Sequence, residues 1–226
     1  MGTKLWTCAS DGKETVTGEL IREKALPRAI AMYLAARGID VHHVDMYFNA
    51  SFSDLSDPFR FPGMEPAVKR LWQAIVNREH ILIHGDYDTD GITATALLSW
   101  ILERNGAIVT NFLPHRFDDG YGFTPESLAK ALEAAGGNCG VLVTVDCGIN
   151  SCEAVDDAAR RGIDVIITDH HEPGETLPRA LANINPKIHQ ELADMHNLSG
   201  VGVAFKLGHA FLKYGREHNL GGYMTE

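Results

Sequence analysis

From residue 80 onward, short apolar runs alternate with longer amphipathic ones. Residues 80–85 (HILIHG), 108–113, 140–145 (GVLVTV) and 164–168 (DVIIT) read as strands, and 180–184 as a fifth. These runs are too uniformly apolar to have one face in water. They predict strands buried on both sides, which is the pattern of a parallel sheet covered by helices. The covering segments are residues 92–104, ended by Gly106, and 124–135, stopped by Gly136 and Gly137. Two more are 151–161, followed by Gly162, and 201–214. Thr124-Pro125 reads as an N-cap followed by proline at the first helical position. The fold class expected is α/β, a parallel sheet with helices on both faces. Residues 1–79 follow a different rhythm. Segments 21–37 and 65–76 read as helices, separated by an irregular stretch at 49–63 that contains Pro58, Pro62 and Gly63. This predicts a helical N-terminal arm over 1–79, packed on an α/β core over 80–226.

Composition adds little to this picture. The 226 residues suit one large domain or two small ones, and 45% apolar content is ordinary for a globular chain. No apolar run reaches membrane-spanning length, and no basic stretch precedes an apolar one at the N-terminus, so the expectation is a cytoplasmic protein that does not enter a membrane. Cys8, Cys139, Cys147 and Cys152 form no C-x-x-C pair, which argues against a zinc ribbon or a redox motif. Twenty Lys and Arg against 30 Asp and Glu leave a formal charge of −10. That disfavours binding of nucleic acid by a general basic surface. It does not disfavour local capture of a phosphodiester, because bound cations invert the sign of an acidic crevice.

The chemistry-bearing residues fall just after the expected strands. His84, Asp86, Asp88 and Asp90 crowd the turn after the first, in HGDYDTDG. Asp146 stands alone after the third, in VDCG, and Asp169-His170-His171 follow the fourth. In an open α/β sheet, the crevice outside the carboxyl ends of the strands is where ligands bind. Two readings compete: a metal centre, or a set of Asp residues capping helices. Convergence of so many ligand-type side chains on equivalent strand ends favours the first. Carboxylate and imidazole without thiolate suit manganese or magnesium better than zinc. His84, Asp88, Asp90, Asp146 and His170 are more ligands than one open-sided ion needs. Two ions bridged by one carboxylate are therefore expected, with Asp146 as the best bridge. Such a pair, about 3.5–4 Å apart, can hold a hydroxide and stabilise both oxygens of an in-line phosphoryl displacement.

The D-x-D-x-D-G, V-D-C-G and D-H-H segments resemble the first three motifs of the DHH phosphoesterase superfamily. Further segments are similar to its RecJ-type exonucleases: Asp57-Pro58-Phe59, Pro62-Gly63-Met64, Pro114-His115-Arg116, Asp119-Gly120-Tyr121-Gly122, and 198–206 (LSGVGVAFK). The resemblance implies hydrolysis of single-stranded DNA from its 5′ end, with manganese, in DNA repair and recombination. It assigns His84, Asp88 and Asp146 to one ion and Asp90, Asp146 and His170 to the other. It places His171 on the scissile phosphate. Asp169 and Asp86 are expected to support ligands rather than bind metal. Arg116 is expected to clamp a substrate phosphate, with a surface ion pair as the alternative. The family carries a fourth motif and a second, substrate-binding domain, and neither is found before Glu226. The expectation is thus a catalytic core of reduced activity. Two other functions stay open: a nucleotidase of the same superfamily acting on short RNA or dinucleotides, and a non-catalytic binding module.

Overall fold

The computed structural model describes residues 9, 11–115 and 122–220. The chain divides into two compact units between Ser56 and Asp57. The expected division after residue 79 therefore falls about a helix earlier.

The first unit contains α1 (Glu14–Lys24), α2 (Arg28–Ala36) and α3 (Val44–Asn49). They enclose a small core of Leu20, Ala31, Leu34, Ala35 and Val44. The single helix expected over 21–37 is two helices. Ala25 takes a left-handed conformation at φ 53°, and Pro27 begins α2, since a proline inside a helix would remove a hydrogen bond and clash with the preceding turn.

The second unit opens with α4 (Met64–Asn77) and then alternates β1 (His80–His84), α5 (Thr89–Arg104), β2 (Ile108–Phe112), α6 (Pro125–Ala134), β3 (Val141–Val145), α7 (Cys152–Arg160), β4 (Asp164–Thr168), β5 (Ala182–Ile184) and α8 (Gly200–Glu217). The five strands form one sheet in the order β2-β1-β3-β4-β5, and every pairing is parallel. Side chains alternate between two apolar layers. Ile81, Ile83, Val141, Val143 and Ile166 face a layer containing Leu71 of α4, Leu98 of α5 and Leu207 of α8. Leu82, Leu142, Val165 and Ile167 face the layer of α6 and α7, with Leu128, Ala131, Val155 and Ala158. Burial on both faces, predicted by the apolar runs, holds for β1, β3 and β4. Strand β2 departs from it: at the edge of the sheet, it is exposed at Ile108 and Asn111. Helix α5 begins at Thr89, three residues before the expected start, because Asp88 caps it. No helix among the described residues is long and apolar enough to cross a membrane.

Candidate metal centre at the strand ends

Strands β1, β3 and β4 are adjacent and parallel, so their carboxyl ends open on one side of the sheet. Asp146 is the first residue beyond β3. Its N–H still donates to the Thr168 carbonyl at 2.9 Å, extending the ladder, and its own φ is 62°. Asp tolerates this left-handed conformation better than most residues do. The turn lays the Asp146 carboxylate against Gly200, where any side chain would overlap it. Asp146 is 1% exposed, and its Oδ1 has no hydrogen-bond partner. His170 Nε2 lies 3.1 Å from that oxygen without the alignment of a hydrogen bond.

The loop after β4 is organised by Asp169. Its Oδ1 accepts from the N–H groups of His170 (2.7 Å) and His171 (3.1 Å) and pairs with His171 Nδ1 at 2.7 Å. Its Oδ2 accepts from the Ile149 N–H at 2.9 Å. Burial opposes ionisation of this carboxyl. The hydrogen bonds from His171 and Ile149 outweigh it and hold the pKa below the usual carboxylate value. The same contact with Asp169 raises the His171 pKa. Asn185, fully buried, completes the loop by donating to the His171 carbonyl at 2.9 Å.

The turn after β1 is built differently. Asp88 Oδ1 caps α5, accepting from the N–H groups of Asp90 (2.9 Å) and Gly91 (3.1 Å). Asp86 folds back to accept from the Tyr87 N–H at 2.7 Å. Gly91 is required by close approach, since a Cβ there would sit 2.5 Å from the Asp86 carbonyl oxygen. Asp90 reaches across to α8. Its two oxygens accept from the N–H groups of Gly200 and Val201, each at 2.7 Å, and Oδ2 lies 3.7 Å from His170 Nε2.

Among the described residues, two groups bring potential ligand atoms within 4.8 Å of one another: Asp86, Asp88 and Asp146, and Asp146, His170 and His171. Asp146 is common to both. Asp86, expected only as support, is thus inside a cluster, as is His171. His84, expected as a ligand, lies in neither group. It is fully buried, with Nε2 3.1 Å from Ser127 Oγ and its ring beside Phe112 and Phe123. Strand parity is the reason. His84 shares the face of Leu82, toward α6, whereas Asp146 turns toward α8. Arg116 lies outside the described residues.

The cluster is electrostatically unfinished. Burial first, then the charges of Asp90 and Asp88, push the Asp146 carboxyl up to about 8. Burial also raises Asp86. A buried carboxylate oxygen without a donor, among further carboxylates and imidazoles, is the donor set a divalent cation satisfies.

Comparison with known proteins gives the same picture. The single-stranded-DNA-specific exonuclease RecJ of Bacillus subtilis is 40% identical over 184 residues, 81% of this chain and 23% of the relative. That of Dickeya dadantii is 42% identical over 192 residues, 84% of this chain and 32% of the relative. The chain therefore spans between about a quarter and a third of the length of these curated relatives. A solved structure of RecJ from Thermus thermophilus in complex with Mn2+ matches with a TM-score of 0.70 and 29% identity, over 92% of this chain and 28% of that one. A second, an exonuclease RecJ bound to manganese, matches with a TM-score of 0.59 and 37% identity, over 68% of this chain and 38% of that one. The family model described as DHH family, N-terminal domain, matches residues 80–224, the whole α/β segment that carries the three acidic clusters. The chain belongs to the DHH family.

Proposed function

We propose that this chain carries the metal centre of a phosphodiesterase that digests single-stranded DNA from its 5′ end. The observation that carries the reading is Asp146, a buried carboxylate with an unpartnered oxygen, shared by both ligand groups. In this reading two divalent cations, manganese before magnesium, would be held here, and Asp146 would be the ligand common to both. Asp86 and Asp88 complete one position. His170 completes the other, with Asp90, whose oxygens each keep a lone pair beyond the bonds from α8. Bound cations supply an activated water at neutral pH and charge to stabilise the oxygens of the reacting phosphate. His171, its Nδ1 fixed by Asp169, would contact the scissile phosphate and stabilise its developing charge. The names and titles of the relatives support the substrate and the metal.

The test is calorimetric titration with Mn2+, alongside digestion of single-stranded DNA labelled at either end. The reading requires manganese binding that Asp146→Ala removes, and metal-dependent loss of the 5′ label as the first product. Cleavage of dinucleotides or short RNA in place of DNA would make the chain a nucleotidase. Absence of metal binding would leave only a binding module.

A further inference from the structure

Beside His170, away from Asp86 and Asp88, the crevice continues into a cavity of about 560 Å³ between the β4 loop and the start of α8. Its walls include Lys187, His196, Asn197 and Ser199. Two other cavities border the centre: one of about 690 Å³ on the His171 side, and one of about 590 Å³ beside Asp88. Neither has a lysine or arginine among its described lining residues. Among the described residues, Lys187 is therefore the one such cation in these three walls.

We propose that this cavity holds a backbone phosphate of the nucleic-acid strand, next to the scissile one, with Lys187 as its counter-charge. The inference rests on the reading of the centre as a phosphodiesterase. Three observations carry it. First, Lys187 is built into the site. Its N–H donates at 2.8 Å to Oδ1 of the buried Asn185, whose amide also holds the His171 carbonyl. One side chain thus fixes the backbone of both the lysine and the histidine loop. Second, the ammonium is available. Its partner is Glu172 at 3.0 Å, in the same cavity wall. The lysine side chain is 25% exposed and the glutamate 81%, so the carboxylate sits largely in water and can swing away from the ammonium when a phosphate takes its place. Third, the other groups can donate. The Asn197 side chain has no hydrogen bond among the described residues, and Ser199 Oγ accepts from the Gly202 N–H at 3.3 Å while its own proton remains to give. Against a net charge of −10, a polyanionic strand leaving the metal centre needs such a local cation, and a lysine acts on phosphate as a compact point charge.

The experiment measures binding of a short fluorescent oligothymidylate in Mn2+, by anisotropy, across a range of salt concentrations. Each phosphate neutralised on a single strand contributes about 0.7 to the slope of log affinity against log salt. Lys187→Ala lowers that slope by about 0.7 and weakens binding several-fold, while manganese titration is unchanged. Lys187→Arg retains the slope, and Glu172→Gln, which removes the competing carboxylate, tightens binding. If the wild-type chain binds the strand and Lys187→Ala binds it with the same slope and affinity, the subsite is wrong and the metal centre stands. If Lys187→Ala loses manganese as well, the lysine is structural and the subsite is again overturned. If the wild-type chain binds manganese but no strand, the cavity does not hold a backbone phosphate and the subsite is overturned, while the metal centre stands.

Discussion

The turn after β1 and the turn after β3 both present carboxylates to the crevice, yet they are in opposite electrostatic states. Asp88 and Asp90 are partly exposed and already answered by helix N-termini, Asp88 at α5 and Asp90 at α8. Asp146 is buried, and its Oδ1 accepts no hydrogen bond, with His170 Nε2 3.1 Å away. A crowd of acids therefore does not locate the part of the site that most needs a cation. The dense turn is the one with local compensation. The solitary carboxylate in VDCG is the one with a buried oxygen that the fold leaves without a hydrogen-bond donor.

The largest effect that can test this contrast is a dependence on pH in the metal-free protein. The unfolded Asp146 carboxyl ionises near the ordinary value of 3.8, while the folded one holds its proton to about 8. Unfolding between those values releases a proton, so stability falls as pH rises from about 4 to about 8. The raised pKa of His171 acts in the same direction above its ordinary value of 6.5. Asp169, whose pKa is lowered, loses its contribution only as pH falls below the ordinary carboxylate range. The sum is a decline of a few kcal/mol toward alkaline pH. Urea titrations in a chelator at several pH values measure it. Saturating manganese reverses the trend, because the metal requires the ionised form. A flat profile in the chelator would remove the electrostatic argument.

Next in size is Asp146→Asn. It keeps the shape and removes the charge. Manganese affinity falls by at least the roughly 10–100-fold typical of losing an outer-shell partner, while the metal-free protein becomes more stable at pH 8. Equal losses of affinity for Asp146→Asn and Asp88→Asn would break the comparison. Gly200→Ala should follow, because its methyl group must overlap the Asp146 carboxylate. Overpacking of this kind costs about 1–3 kcal/mol, and here it should weaken metal binding too, with both effects measured on one variant. The smallest effect is Asp90→Ala, which removes the acceptors of two N–H groups at the start of α8 while the Ser199 cap remains, and costs about 1 kcal/mol in urea denaturation. A loss far above that would mean that Asp90 also holds the fold in a way its two hydrogen bonds do not explain.

Much of this architecture was legible in the residues. Apolar runs bounded by glycines marked the strands, and the strand ends marked the crevice, because both depend on local pattern and on a general rule of parallel sheets. Asp146 stood out because it is isolated after GVLVTV. What escaped was what depends on direction or distance. His84 was read from the company it keeps in sequence, whereas its environment is decided by alternation within β1, which puts it with Leu82. The tie from Asp90 to Gly200 spans 110 positions and has no local signature. Pro27 marks a helix boundary in the sequence itself, although the apolar spacing continues across it.

That long tie also has a kinetic meaning. Strand β1 and helix α5 are neighbours in the chain and can meet early, but Asp90 cannot find its donors until the start of α8 has docked, and contacts of high sequence separation are slow to form because loop closure precedes any gain from them. The crevice is therefore among the last parts of the fold to close, and uptake of a cation during refolding should lag behind the formation of helix and sheet.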